Sequence, residues 1–92
     1  RWFIPNAFTP DGDGINEVFL PQFSYEPEFY ALRIFNRWGQ LVFQSDDARK
    51  AWTGNFMNGE YYCEDGFYQW TLVVKGTEVD PYELVGHLVL TR

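Results

Sequence analysis

The stretch from Asn6 to Phe19, NAFTPDGDGINEVF, sets two Asp-Gly pairs back to back between aromatic flanks. Carboxylates on alternate residues can point to one centre, and a glycine lets the backbone turn back toward it, as an oxygen-rich cation loop requires. Asp11, Asp13 and Gly14 meet that need for the third, fifth and sixth positions of a calcium loop. Thr9 and Leu20 then occupy the first and twelfth positions, so the leading carboxylate and the bidentate closing one are both missing. A complete EF-hand is excluded. A smaller calcium site on Asp11 and Asp13, closed by Asn16 or Glu17, is one remaining reading. The other is a plain turn, in which Pro10 starts the bend, Gly12 and Gly14 adopt left-handed backbone and the Asp side chains bond their own main chain. The turn is the expectation, and no other cofactor is called for.

The remaining residues that could do chemistry are few. Cys63 is the only cysteine and His87 the only histidine. Nucleophilic catalysis by Cys63 needs a base and a group to orient it, and His87 sits in a strand-like run without a recognisable partner. One Cys and one His do not make a zinc cluster. The adjacent acids Asp46–Asp47 and Glu64–Asp65 read as solvated pairs, because neighbouring side chains diverge instead of facing each other across a glycosidic bond. No enzyme is expected. A single thiol also precludes an internal disulfide.

The elements that must position these groups are strands. Nineteen of the 92 residues are Phe, Tyr or Trp, types that suit half-buried pleated surfaces. In GFYQWTLVVKG, residues Tyr68, Trp70, Leu72 and Val74 alternate with Phe67, Gln69, Thr71, Val73 and Lys75, the period of two expected when one face is buried. The even positions are placed inward. Leu84, Gly86, Leu88 and Leu90 repeat the pattern against Val85, His87, Val89 and Thr91, and Tyr30, Leu32 and Ile34 repeat it against Ala31 and Arg33. The NRWG break before QLVFQS predicts an antiparallel hairpin with a bulge, Gly39 supplying positive φ. WFIP and EVFLP, each closed by proline, are expected as edge strands. SDDARKAW predicts one or two helical turns capped by Ser45. TGNFMNGEYYCEDG, with three glycines and two asparagines, reads as a long connection or an irregular strand pair. About six or seven short strands predict one all-β domain, 1–92, an antiparallel β-sandwich of immunoglobulin-like type; a small closed barrel is the competing architecture.

Charge and hydropathy narrow the partners. Seven basic against thirteen acidic side chains give a net charge of −6, the wrong sign for tracking a phosphate backbone, so no nucleic acid is expected. The longest apolar runs fall far short of the roughly 20 residues a membrane helix needs, so no transmembrane segment is expected. Arg1 does not open an export signal, and the sequence is expected to be a piece of a longer precursor whose export signal lies upstream.

Taken together, FIPNAFTPDGDGINEVF, LRIFNRWGQLVFQS, AWTGNFMNG, DGFYQWTLVV and GHLVLTR follow one another in the order and spacing of a known family. From Phe3 to Arg92 the chain resembles the gliding-motility-associated C-terminal domain, the type B signal domain of the type IX secretion system of Bacteroidota. NAFTPDGDGIN combined with IFNRWGQLVF is the specific part. The chain departs from the family at Trp52–Gly54, WTG, where an Asp is common in the middle. The resemblance implies a C-terminal sorting signal that directs a larger cargo to the cell surface or medium, with LTR as the end of that precursor. It further implies folding in the periplasm and recognition by the type IX machinery, through an outer-membrane protein of the PorP/SprF-like class.

A folded signal must show its reader a surface. Three places are expected to form it: the loop with Asp11, Asp13 and Asn16; the hairpin tip with Asn36, Arg37, Trp38 and Gly39; and the strand with Gly86, His87 and Arg92. Each has a plainer reading. Trp38 is expected to fold back over the sheet beside Gly39, with an exposed partner anchor as the alternative. Arg37 reads as a solvated turn cation. Gly86 reads as a space for a neighbour such as Trp70, or as a bulge, and His87 as a surface or inter-strand residue. The alternative function is a carbohydrate- or calcium-binding module of an adhesin, with Trp2, Trp38 and Trp52 as a stacking platform, or a calcium-stiffened spacer.

Overall fold

The computed structural model describes residues 2–12, 14, 17–76 and 81–92. The period-two segments form the long strands. β4 is Phe29–Phe35, β5 Leu41–Ser45, β6 Gly66–Lys75 and β7 Tyr82–Leu90. Three two-residue strands complete the set: β1, Trp2–Phe3; β2, Ala7–Phe8; and β3, Gln22–Phe23. One sheet has the order β2-β7-β6-β4-β5, and β1 pairs antiparallel with β3 in a second, two-stranded piece. The fold is a small all-β sandwich in which one layer is a regular sheet and the other is mostly irregular chain.

Register explains which residues are buried. Leu32 lies opposite Leu72 and Ile34 opposite Trp70, while Tyr68 faces Leu88 across the next ladder. These inward rows, with Tyr30, Val74 and Leu90, are buried as their alternation predicts. The sheet's other face carries Arg33, Gln69, His87 and the exposed Phe67 and Val85. Between β4 and β5 the register slips at Ile34/Phe35, and Gly39 has φ of +83°, the bulged hairpin that NRWG implies.

The structure departs from the sequence expectations in three places. EVFLP is not a strand; Phe19 makes a single antiparallel bridge with Trp52, each N–H donating to the other's carbonyl at 2.9 Å. β2 runs parallel to β7, Ala7 opposite Val89 and Phe8 opposite Leu90, so the sheet is not wholly antiparallel. SDDARKAW is not a helix. The Ser45 hydroxyl accepts the Asp47 N–H at 3.0 Å and the Asp47 carboxylate accepts the Arg49 N–H at 2.9 Å, closing side-chain turns in place of helical ones. The segment between β5 and the Trp52 bridge is too short to repay helix nucleation, and local side-chain bonds outcompete it.

The irregular layer closes the core with aromatics. Trp52, wholly buried, stacks on Phe43 at 6.5 Å between ring centroids and meets Tyr68 edge-on at 5.2 Å, and Phe8 tilts against it at 5.5 Å. Phe19 packs on Phe8 and Trp70, and Phe23 on Tyr30. TGNFMNGEYYCEDG is an irregular pair, as expected: Asn55 bridges Tyr62 around a 3₁₀ turn at Phe56–Asn58.

Candidate functional site

The ladder registers bring several chain segments to one end of the sheet. Phe35 lies opposite both Leu41 and Gln69, Gly66 opposite Leu90, and Phe8 opposite Leu90. The β4–β5 hairpin tip, the start of β6, the end of β7 and the chain leaving β2 toward the acidic loop therefore share that end. Of the expected surface residues, those of the tip and Arg92 are neighbours in this sense, with the described chain that follows Phe8 beside them, although nothing in their sequence spacing says so.

Asn36 builds the hairpin tip. Its carboxamide oxygen accepts the N–H groups of Trp38 at 3.0 Å and Gln40 at 2.9 Å, and its amide donates to the Gln40 side chain at 2.8 Å. This Asx geometry holds Trp38 away from the sheet. Trp38 is 65 % exposed, with the Arg37 guanidinium 4.4 Å from its ring centroid. The expected fold-back of Trp38 over the sheet does not occur, because the turn aims the ring outward and Arg37 covers part of it. Arg37 is exposed, the solvated turn cation expected, and also stacks on the ring.

Opposite the tip runs the segment that leads into β6. A groove of about 530 Å³ lies between them, walled by Trp38, Phe56, Tyr62 and Phe67, with Glu64 and Asp65 among its polar lining. Tyr62 is 73 % and Phe67 68 % exposed. Cys63 also lines this groove; burial pushes its thiol above the usual range, partly offset by the Arg92 charge. His87 is not brought to it. It stands opposite Gln69 on the sheet's outward face.

Arg92 ties β7 to the groove's far wall. Its N–H donates to Asp65 Oδ2 at 3.1 Å, its Nη2 to the Gly54 carbonyl at 2.6 Å, and its guanidinium lies 4.2 Å from the Tyr62 ring centroid. Gly54, at φ +91°, makes room for this contact, since a Cβ there would come within 3.0 Å of Nη2 and 3.3 Å of Pro10 Cγ. In the neighbouring WTG stretch, the Thr53 N–H and hydroxyl donate to Asn58 Oδ1 at 2.9 and 3.0 Å. Asn58 Nδ2 donates to the Ala51 carbonyl, so the loop is held by a carboxamide.

The acidic loop is only partly open to description, Asp13 and Asn16 lying outside the described residues. Gly12 and Gly14 have φ of +86° and +82°, as a turn needs. The Glu17 carboxylate accepts the Gly12 N–H at 3.0 Å and the Gly14 N–H, so both its oxygens hold main chain. Asp11 is exposed. Gly86 lies on the inward face: a Cβ there would fall 2.5 Å from Trp70 Cζ2, so the strand passes under the indole. This is the packing reason for a glycine there, and it leaves Gly86 only partly exposed. Trp52 is wholly buried, so it cannot form a sugar-stacking platform with Trp2 and Trp38. Phe56 and Tyr62, which sequence reading missed, carry no motif, and only their aromatic character in a glycine-rich stretch hinted at exposure; Phe67 is exposed as the alternation of its strand places it, but its part in the groove was not foreseen.

A family model, the CHU_C type IX secretion signal domain, matches residues 2–90. The chain belongs to that family. A search of curated proteins finds no match. As a type IX secretion signal domain, the chain serves to sort a secreted cargo that reaches the cell surface or the medium. No described helix is long and apolar enough to cross a membrane.

Proposed function

We propose that the signal is read by protein–protein contact at the sheet end that gathers the acidic loop, the Trp38 hairpin tip and Arg92. The reader is an outer-membrane component of the secretion machinery of the PorP/SprF-like class, met by the folded domain in the periplasm. The observation that carries the reading is the groove between two separate chain segments, with Trp38, Tyr62 and Phe67 largely exposed around it. Aromatic rings held at a rim offer large contact area at little entropic cost, the usual make-up of binding hot spots. Their exposure costs folding stability, since each ring would gain by burial, and an interface recovers that loss. A carbohydrate-binding role lacks comparable support with Trp52 in the core.

The test is a fusion of the 92 residues to a reporter in a bacterium that carries this exporter. Wild-type fusion is expected at the surface or in the medium, and a Trp38→Ala fusion is expected to accumulate in the periplasm while folded. Equal export of the two would remove this end of the sheet as the recognised surface; retention of both would remove the domain's sufficiency as a signal.

A further inference from the structure

Tyr62 owes its place in the groove wall to very little local structure. It lies between a two-residue bridge with Asn55 and the start of β6, in a stretch with no regular strand. What fixes it comes from β7. Arg92 reaches behind the ring, with its guanidinium 4.2 Å from the centroid, while its Nη2 holds Gly54 and its N–H holds Asp65. Those contacts span the irregular segment from one side of the 3₁₀ turn to the other. Arg92 does not itself line the groove, and its Nε is buried with no partner among the described residues. The cation therefore serves the far side of the ring, leaving the near side to a partner.

We infer that Arg92 is a positioning residue for recognition: it clasps the 54–65 segment from behind and sets the Tyr62 ring as a wall of the groove. The inference rests on the reading of the groove as the surface met by the outer-membrane partner. A planar guanidinium is needed, because it must stack on the ring and donate in its own plane to Gly54 at once, which a lysine ammonium cannot do.

The fusion-export assay tests this with five variants: Arg92→Ala, Arg92→Lys, Tyr62→Leu, Arg92→Ala with Tyr62→Leu, and Val74→Ala. Val74 is buried at the opposite end of the sheet, opposite Tyr30, so Val74→Ala reports what lost stability alone does to export. Arg92→Ala is expected to lower export about tenfold, the size of one misplaced contact. Arg92→Lys is expected to fall nearly as far, Val74→Ala to stay near wild type at equal or greater thermal destabilisation, and the double variant to lose no more than either single change. Export of folded Arg92→Ala at the Val74→Ala level, full rescue by lysine, or additive losses in the double variant each overturn the inference while leaving the groove reading intact. If Arg92→Ala does not fold, Tyr62→Leu decides, since it keeps the bonds to Gly54 and Asp65, and its export at wild-type level is also an overturning result. Wild-type fusion that is not exported defeats the underlying reading instead.

Discussion

The sheet and the layer that covers it are stabilised in different ways. Strands β4, β6 and β7 share long antiparallel ladders, so each inward residue is held by its register as well as by its contacts. Among the described residues, the covering layer has the β1–β3 pair and single bridges, and is fixed by individual residues: Trp52 in the core, Gly54 under Arg92, Asn58 bonding Thr53 and Ala51. A regular ladder spreads the consequence of one substitution over many pairs. A layer of single contacts concentrates it. The recognition surface proposed above lies where the two meet, which gives the groove one rigid wall at the hairpin and one that depends on a few bonds.

The largest expected effect is therefore in the covering layer. Trp52→Ala removes the ring that touches Phe8, Phe43 and Tyr68, together with the indole N–H bond to the Asn55 carbonyl at 2.8 Å. A loss of about 3–5 kcal/mol is expected from the lost burial and the cavity together, measured as the fall in unfolding free energy in urea. For so small a domain this is a large fraction of the total. A loss below about 1 kcal/mol would show that the covering layer collapses onto the gap and is more plastic than the contacts suggest.

In the sheet, the corresponding weak point is Gly86. Its added methyl would meet the Trp70 ring at 2.5 Å and 2.8 Å, and the indole is rigid and fixed by Phe19 on its other side. Gly86→Ala should cost about 1–3 kcal/mol through overpacking, even though alanine ordinarily suits a strand better than glycine. A stabilised Gly86→Ala variant would mean that Trp70 has a second place to go, and that the ladder is less exacting than its register implies.

The same division decides what could be read in the sequence. Tyr68, Trp70, Leu72 and Val74 announced themselves because a ladder buries every second residue, a local and repeated signal. The Gly86–Trp70 contact was legible for the same reason, two strands of known phase sharing a face. The parallel pairing of β2 was not, since two residues carry no period and their partners, Val89 and Leu90, lie at the far end of the chain. Trp52 figured only in the platform alternative, because Ala51, Thr53 and Gly54 beside it carry no period; the three-dimensional bridge to Phe19 puts it inside. The hairpin tip was foreseen, yet the direction of Trp38 was not, because two bonds to one Asn36 oxygen decide it. Of the proposed surface, the motif-bearing half was visible and Phe67 was placed outward by its strand's period, but Phe56 and Tyr62, in a stretch without a period, were not.

Titration offers a gentler way to separate the layers. In the sheet, burial raises the Tyr68 hydroxyl from 10.0 to about 12, reinforced by the Cys63 and Glu64 charges, and it donates to the Glu64 carbonyl at 2.6 Å. Burial raises Tyr30 further still. Because the unfolded chain ionises these phenols first, their contribution is fully present below about pH 10 and is lost as the pH climbs toward 12. Unfolding free energy should thus fall on the alkaline side, and Tyr68→Phe should flatten that fall. An unchanged alkaline slope in Tyr68→Phe would assign it elsewhere.

The smallest effect belongs to the covering layer and has the opposite sign. The Arg49 backbone N–H, then its side chain, holds the Asp47 carboxyl below the usual carboxylate range, the two side chains lying 3.3 Å apart at the surface. A depressed folded pKa means that the unfolded chain takes up the proton first, so this contribution is complete above the ordinary carboxylate pKa and disappears as the pH falls through the lowered one. Exposure and screening keep it slight. Asp47→Asn retains an oxygen for the Arg49 N–H and removes only the charge. It should leave neutral-pH stability almost unchanged and reduce the acid-side slope, and added salt should weaken the wild-type slope toward the variant's. If Asp47→Asn instead lowers the melting temperature equally at every pH, the turn depends on the geometry of its carboxylate, and its hold on the segment leading to Trp52 is structural in the same sense as the ladder's.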